Sequence, residues 1–335
     1  MKSWQWGIYW QWNIHFYLGQ KIRKSSSVFV ANWTSVQVLD VSDPMDIQYI
    51  TSTSTPGNDG DLAVLGQYIL ATSSTNGLEI YKFDPDSQSL SLVTTYHYPN
   101  VEFRCVDVSG SYAYISCRYG LEVVDISDIT NPQHGIYISK GSLNKDVVAG
   151  GGWAFIAGAF QGIHIFDLRD WFSSGGPVET YTMAYNPDNT RNSYDIAVDG
   201  AILYCADYYN GLEIFDWMEY VEGGTDWWIG ECKKLPTRYP MGVAVDGTWA
   251  YLTTTEYGYS SGALYVIDVS DIYFGMPFDA YSTNEDGGYQ PYAYDDWVAF
   301  VSFQYASSSH PTSTMRMEEL LVPPYEEGPY YFDPV

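Results

Sequence analysis

The sequence predicts an all-β protein, a seven-bladed β-propeller of four-stranded antiparallel blades. Three observations carry that expectation: a motif that recurs seven times, short strands joined by glycine turns inside each copy, and a strongly aromatic composition. Tyr, Phe and Trp make up 17% of the 335 residues, and such side chains favour the pleated, half-buried surface of a sheet. No segment shows the sustained 3.6-residue periodicity of a helix, so helix content should be minimal.

The recurring unit has two halves. The first is an apolar strand, a glycine turn and an aromatic strand. It reads LAVLGQYILATS from Leu62, VDVSGSYAYISC from Val106, VVAGGGWAFIAG from Val147, IAVDGAILYCAD from Ile196 and VAVDGTWAYLTT from Val243. A weaker copy, YAYDDWVAFVSF, starts at Tyr292, and VFVANW near Val28 keeps only the second strand. The second half starts at positions 36, 78, 121, 163, 212, 264 and 315, as in VQVLDVSDP, LEVVDISDI and the degraded MRMEELLVP. A fourth strand follows, as in HGIYIS at 134–139 and VETYTM at 178–183. Four strands in each 40–50 residues is the size of a propeller blade.

On this reading residues 25–335 form one propeller domain whose last blade, 289–335, is degenerate. Residues 1–24 form a separate Trp-rich segment. There Trp4, Trp6, Ile8, Trp10, Trp12, Ile14, Phe16 and Leu18 occupy every even position, the period-2 pattern of a strand with one apolar face. The segment lacks the basic start and apolar stretch of an ordinary signal peptide. It is expected either to complete a blade at the ring closure or to pair with another subunit.

Composition then excludes partners. The formal net charge is −26, with only 15 Lys and Arg, too few for a stripe that neutralises nucleic-acid phosphates. No apolar run approaches the length of a spanning helix, so no membrane insertion is expected. Four cysteines without a C-x-x-C pair and five scattered histidines exclude zinc and haem signatures. Cys105 and Cys117 flank a hairpin turning at Gly110-Ser111, which pairs Val108 with Ala113. Both a disulfide and two free buried thiols are compatible with that register.

The GLEVVDISD run at 120–128 and the ALYVIDVSD run at 263–271, each preceded by strand–turn–strand text, resemble the LVIVD-repeat propellers of bacteria and archaea. The resemblance covers about residues 28–302. It implies a propeller fold and a secreted or surface-associated protein, and it implies no common catalytic site.

Candidate chemistry is sparse. An acid closes the third strand of most units: Asp40, Asp125, Asp167, Asp216, Asp268 and Glu319, with Lys82 as the exception. Repetition in every blade points to turn capping, since a catalytic residue is needed once. Asp61, Asp146 and Asp195 precede the innermost strands and are candidate ligands for Ca²⁺, which takes several oxygen donors. His164, inside a strand copy, reads as ordinary sheet surface. No G-x-S-x-G elbow is present.

Tyrosines crowd the loops. Tyr208, Tyr209, Tyr257, Tyr259, Tyr289 and Tyr292, with Trp4, Trp6, Trp10 and Trp12, are the candidate binding or assembly residues. The functional expectation is a non-enzymatic binding or assembly module, extracellular or on the cell surface. Its partner would be a protein, itself included as in a filament, or a glycan. The alternative is a glycan-active hydrolase or lyase on a propeller scaffold.

Overall fold

A computed structural model describes residues 15–18, 27–32, 35–43, 46–55, 59–74, 76–141, 143–183, 192–232, 238–256, 262–270, 280–282, 288–294, 297–304 and 312–319. They form an all-β propeller of antiparallel sheets. The chain divides into two compact units, one centred on Gln11–Ala159 and Ile163–Thr182, the other on Met183–Val335.

The first unit holds four blades. Each runs in chain order from innermost to outermost strand. They are β1 (His15–Leu18), β2 (Ser27–Asn32), β3 (Ser35–Asp40) and β4 (Gln48–Ser54); then β5 (Asp59–Leu65), β6 (Tyr68–Ser73), β7 (Gly77–Asp84) and β8 (Ser89–Tyr96). The third is β9 (Phe103–Ser109), β10 (Tyr112–Cys117), β11 (Gly120–Asp125) and β12 (Gln133–Ser139). The fourth is β13 (Asp146–Gly150), β14 (Trp153–Ala157), β15 (Ile163–Asp167) and β16 (Glu179–Met183), with helix α1 (Arg169–Ser174) before its last strand.

The second unit adds β17 (Ser193–Asp199), β18 (Ile202–Asp207), β19 (Gly211–Asp216) and β20 (Trp228–Cys232), with helix α2 (Trp217–Val221) before β20. Next come β21 (Arg238–Asp246), β22 (Trp249–Glu256), β23 (Gly262–Asp268) and β24 (Ala280–Ser282). The last repeat forms β25 (Gly288–Tyr294), β26 (Trp297–Gln304) and β27 (Thr312–Glu319), a sheet of three.

The count corrects the sequence expectation. The structure has six four-stranded blades, not seven, because the final repeat contributes only three strands among the described residues.

Local sequence accounts for each hairpin. The turn glycines Gly66, Gly110, Gly151, Gly200 and Gly247 all have φ near +60°, a left-handed backbone that glycine adopts without a Cβ clash. The turn at Gly110 pairs Val108 with Ala113, and Cys105 falls opposite Ser116 while Cys117 falls opposite Phe103. The two thiols are therefore not cross-strand partners. Cys105, Cys117 and Cys205 are buried and form no disulfide among the described residues. Burial, followed by the Glu122 charge, pushes the Cys117 thiol well up. A thiol reagent should leave these three unmodified in the native protein and label them after unfolding, with no Cys105–Cys117 crosslink in non-reducing peptide maps.

The core sits between successive blades. Phe29, Val38, Leu62, Tyr81 and Phe83 join the first pair, and Leu70, Ile80, Phe103, Val106 and Ile115 join the next. Tyr114, Val123, Ile156 and Phe166 fill the third gap. In the second unit Tyr204, Ile214, Val243, Leu252 and Tyr265 play the same part. Middle strands are covered on both faces, as the unbroken burial of β10, β11 and β18 shows. His164 consequently lies in the interior of β15, 2% exposed, and is not sheet surface.

Candidate functional site

One aromatic cluster of the second unit is organised by an aspartate. Asp207 ends β18, opposite Ser193 at the start of β17, and is wholly buried. Its Oδ1 accepts the backbone N–H groups of Tyr209 at 2.9 Å and Asn210 at 3.0 Å. Its Oδ2 accepts the Asn192 N–H at 2.9 Å. The Asn210 amide in turn donates to the buried Glu213 carboxylate at 3.4 Å. A short Asp side chain that bonds the amides two and three residues on is a turn former. Here it fixes the D-Y-Y-N-G turn and leaves two consecutive rings pointing away from the core.

Those rings meet two others. Tyr208 stacks on Tyr239 of β21 at 4.3 Å and 11°, and on Tyr194 of β17 at 5.5 Å and 28°. Tyr209 stands edge-on to Tyr208 at 5.0 Å and to Tyr239 at 6.5 Å. Tyr209 is 54% exposed. Burial, then the neighbouring Tyr208 and Tyr209, raises the Tyr194 phenol, which stays neutral and able to donate at ordinary pH. The result is a three-ring stack with a fourth ring at right angles, apolar on its faces and hydrogen-bonding at its rim.

Two of these tyrosines, Tyr208 and Tyr209, were singled out from the sequence; Tyr194 and Tyr239 were not. Tyr194 was accessible to register, because its neighbour Ser193 shares a rung with Asp207. Tyr239 arrives from the next blade and has no local signal. Trp4, Trp6, Trp10, Trp12, Tyr257 and Tyr259 lie outside the described residues, and Tyr289 and Tyr292 are placed on β25 by backbone alone.

Two of the three candidate calcium ligands, Asp61 and Asp195, bond backbone amides of the next inner strand. Asp61 Oδ2 accepts the Val106 N–H of the next inner strand at 3.0 Å, while its Oδ1 accepts Leu62 N–H at 2.7 Å. Asp195 Oδ2 accepts Val243 N–H at 2.7 Å in the second unit. Asp107, which the sequence reading passed over, does the same to Ala149 at 2.7 Å. These carboxylates join one blade's inner strand to the next. Asp61 and Asp146 do converge, but with Cys105: one ligand atom from each lies within 4.8 Å of the others, and all three are buried. A thiol beside two carboxylates does not fit Ca²⁺, which requires six to eight oxygens. Cys105 Sγ moreover donates to the Lys145 carbonyl at 2.6 Å. Burial, with the Asp146 and Asp61 charges adding to it, pushes the Asp107 carboxyl up to about 7 against the bonds from Ala149 and Val108.

The third-strand acids cap turns. Asp40, Asp125 and Asp268 accept the N–H two residues on at 2.8–2.9 Å. Asp167 accepts that of Arg169 at 3.1 Å, and Asp216 caps α2 through Glu219 N–H at 2.9 Å. No helix among the described residues is long and apolar enough to cross a membrane.

Comparison with known proteins bears on the fold. The LVIVD repeat model matches residues 104–135 and 190–216. Curated proteins yielded no match. Among solved structures, virginiamycin B lyase from Staphylococcus aureus superposes with a TM-score of 0.62 at 12% identity, covering 94% of this chain and 99% of that one. The computationally designed Ika8 protein superposes with a TM-score of 0.59 at 10% identity, covering 86% of this chain and 80% of that one. At such identities the likeness is one of fold alone.

Proposed function

We propose that this LVIVD-repeat β-propeller is a non-enzymatic binding module, and that the Tyr194, Tyr208, Tyr209 and Tyr239 surface recognises a glycan. The observation that carries the reading is the stack of Tyr208 on Tyr239 at 4.3 Å with Tyr209 exposed at right angles. Rigid tyrosines give large contact area with little ordering entropy. Flat aromatic faces suit the C–H faces of a sugar ring, and phenol hydroxyls at the rim suit its hydroxyls. A net charge of −26 favours neutral over anionic sugars.

Location outside the cell or at its surface belongs to the same proposal. It is supported by the family resemblance and the N-x-T sequon at Asn32. Quantitative recovery of the protein in washed cytosol would remove it.

Titration calorimetry against neutral oligosaccharides tests the ligand. A Tyr209→Ala variant should lose affinity by tenfold or more, about 1.4 kcal/mol, with an unchanged melting temperature, because that ring is exposed. No binding by the parent protein, or equal affinity in the variant, sinks the reading. Release of shorter sugars would instead support the glycan-active enzyme.

A further inference from the structure

Cations are scarce in this chain and unevenly placed. Only 15 Lys and Arg stand against 41 Asp and Glu, and residues 25–103 hold Lys82 alone. Residues 104–145 hold four: Arg104, Arg118, Lys140 and Lys145. The repeat does not require them. Two residues before Leu62, Val106, Val147, Ile196 and Val243 stand Gly60, Arg104, Lys145, Tyr194 and Met241. A cation at this place is confined to two neighbouring units, whereas a structural residue recurs from unit to unit.

The first compact unit gathers these groups. Asn144, wholly buried, donates from Nδ2 to the Cys117, Gly120 and Lys140 carbonyls at 2.9–3.3 Å. That clamps the segment before β13 onto the β10–β11 turn, where Leu143 N–H also reaches the Arg118 carbonyl at 2.9 Å. Arg104 Nη1 donates to the Asn144 carbonyl at 3.3 Å. Glu102 lies between two guanidiniums, with Arg104 Nη2 at 3.1 Å and Arg118 Nη1 at 3.2 Å. Both arginines leave Nε without a hydrogen-bond partner among the described residues, and the Arg118 side chain is 43% exposed. Lys145 is close enough that the Arg104 charge, after burial, pushes its ammonium below the ordinary value. On β9, Arg104 projects from the face opposite to Cys105, and so away from the buried group that Cys105 forms with Asp61 and Asp146.

The overall charge of −26 is screened over about 8 Å at physiological salt, so the local field decides what binds here. Guanidinium forks match the oxygens of a phosphate or sulfate group, and an ammonium adds a point charge. A tetrahedral oxyanion offers an oxygen to each of three cations at once, which a planar carboxylate with two oxygens does not.

We propose that Arg104, Arg118 and Lys145 form a binding site for a tetrahedral oxyanion, a phosphate or sulfate group, free or as the ester of a small molecule. The site shares no residue with the tyrosine surface, so neither proposal rests on the other. Calorimetry of the full-length protein at fixed ionic strength, with inorganic phosphate and with phenyl phosphate, should give one saturable site with a Kd of about 1 mM or tighter. Tighter binding of phenyl phosphate assigns the site to an ester, and otherwise it takes the free anion. Acetate should bind at least about tenfold more weakly, and Arg118→Gln should weaken phosphate binding about tenfold. Lys82→Gln, outside the cluster, should leave the affinity unaltered. A footprint on the parent protein decides independently of any variant's folding. Phosphate at ten times its Kd should slow acetylation of Lys145 about tenfold, while Lys82 keeps its rate. No saturable binding, equal affinity for acetate, equal weakening by Lys82→Gln, or an unprotected Lys145 would overturn the proposal.

Discussion

Replacing Asp207 by alanine is expected to lower the unfolding free energy by about 3–5 kcal/mol and to abolish binding at the tyrosine surface together. The buried carboxylate accepts three backbone N–H groups, two of them in fully buried bonds and the third partly buried. Deletion leaves those donors without their acceptor, each buried donor costing about 1–3 kcal/mol, partly recovered by relaxation. The turn that aims Tyr208 and Tyr209 would lose its anchor at once. Denaturant unfolding of Asp207→Ala beside Asp125→Ala makes the comparison internal. Asp125 holds an exposed turn through one N–H, and its loss should stay near 1 kcal/mol. Similar small losses for both would mean that Asp207 does not hold the turn.

The second large effect is a pH dependence centred on His164. Burial, with the Lys140 charge adding to it, lowers this imidazole from 6.5 to about 4. Its Nδ1 meets the Thr182 hydroxyl at 3.1 Å, while Nε2 is buried with no hydrogen-bond partner among the described residues. Gly141, at φ +83°, approaches so closely that a Cβ there would sit 2.7 Å from Nε2. The unfolded chain takes up a proton near pH 6.5, whereas the folded chain resists until about 4. Stability from this group is therefore complete above 6.5 and is lost as pH falls towards 4, by about 3 kcal/mol. Asp107 tilts the other way: held up to about 7, it gives its stability at low pH and loses it as pH rises. A His164→Asn variant isolates the first effect. Its destabilisation relative to the parent should be about 3 kcal/mol larger at pH 7.5 than at pH 4. A difference that does not change with pH would show that the imidazole titrates normally.

Alternation and turn glycines made most strands legible in advance, down to the Val108–Ala113 rung. Both signals are local. Alternation failed at β15, because a middle strand is buried on both faces and its residues no longer divide into wet and dry sets. His164 was misjudged for that reason. Strand number failed at the last repeat, where an apolar run does not say which neighbour's edge it joins. Asp61 and Asp195 were recognised as a recurring set, but their acceptor role could not be read, because Val106 and Val243 lie 45 and 48 residues away. Half of the tyrosine surface was visible because Tyr208 and Tyr209 share a turn with their anchor. Tyr239 comes from another blade, and nothing near it in the chain announces the contact.

The bonds from Asp61 to Val106, Asp107 to Ala149 and Asp195 to Val243 give each of these blades a plug on one flank, with a matching socket on its neighbour. Such a junction needs only a backbone N–H opposite the carboxylate and does not depend on the side chain it meets. Units could thus be duplicated, lost or shuffled during evolution, or exchanged by design, provided each junction keeps one carboxylate facing one backbone N–H.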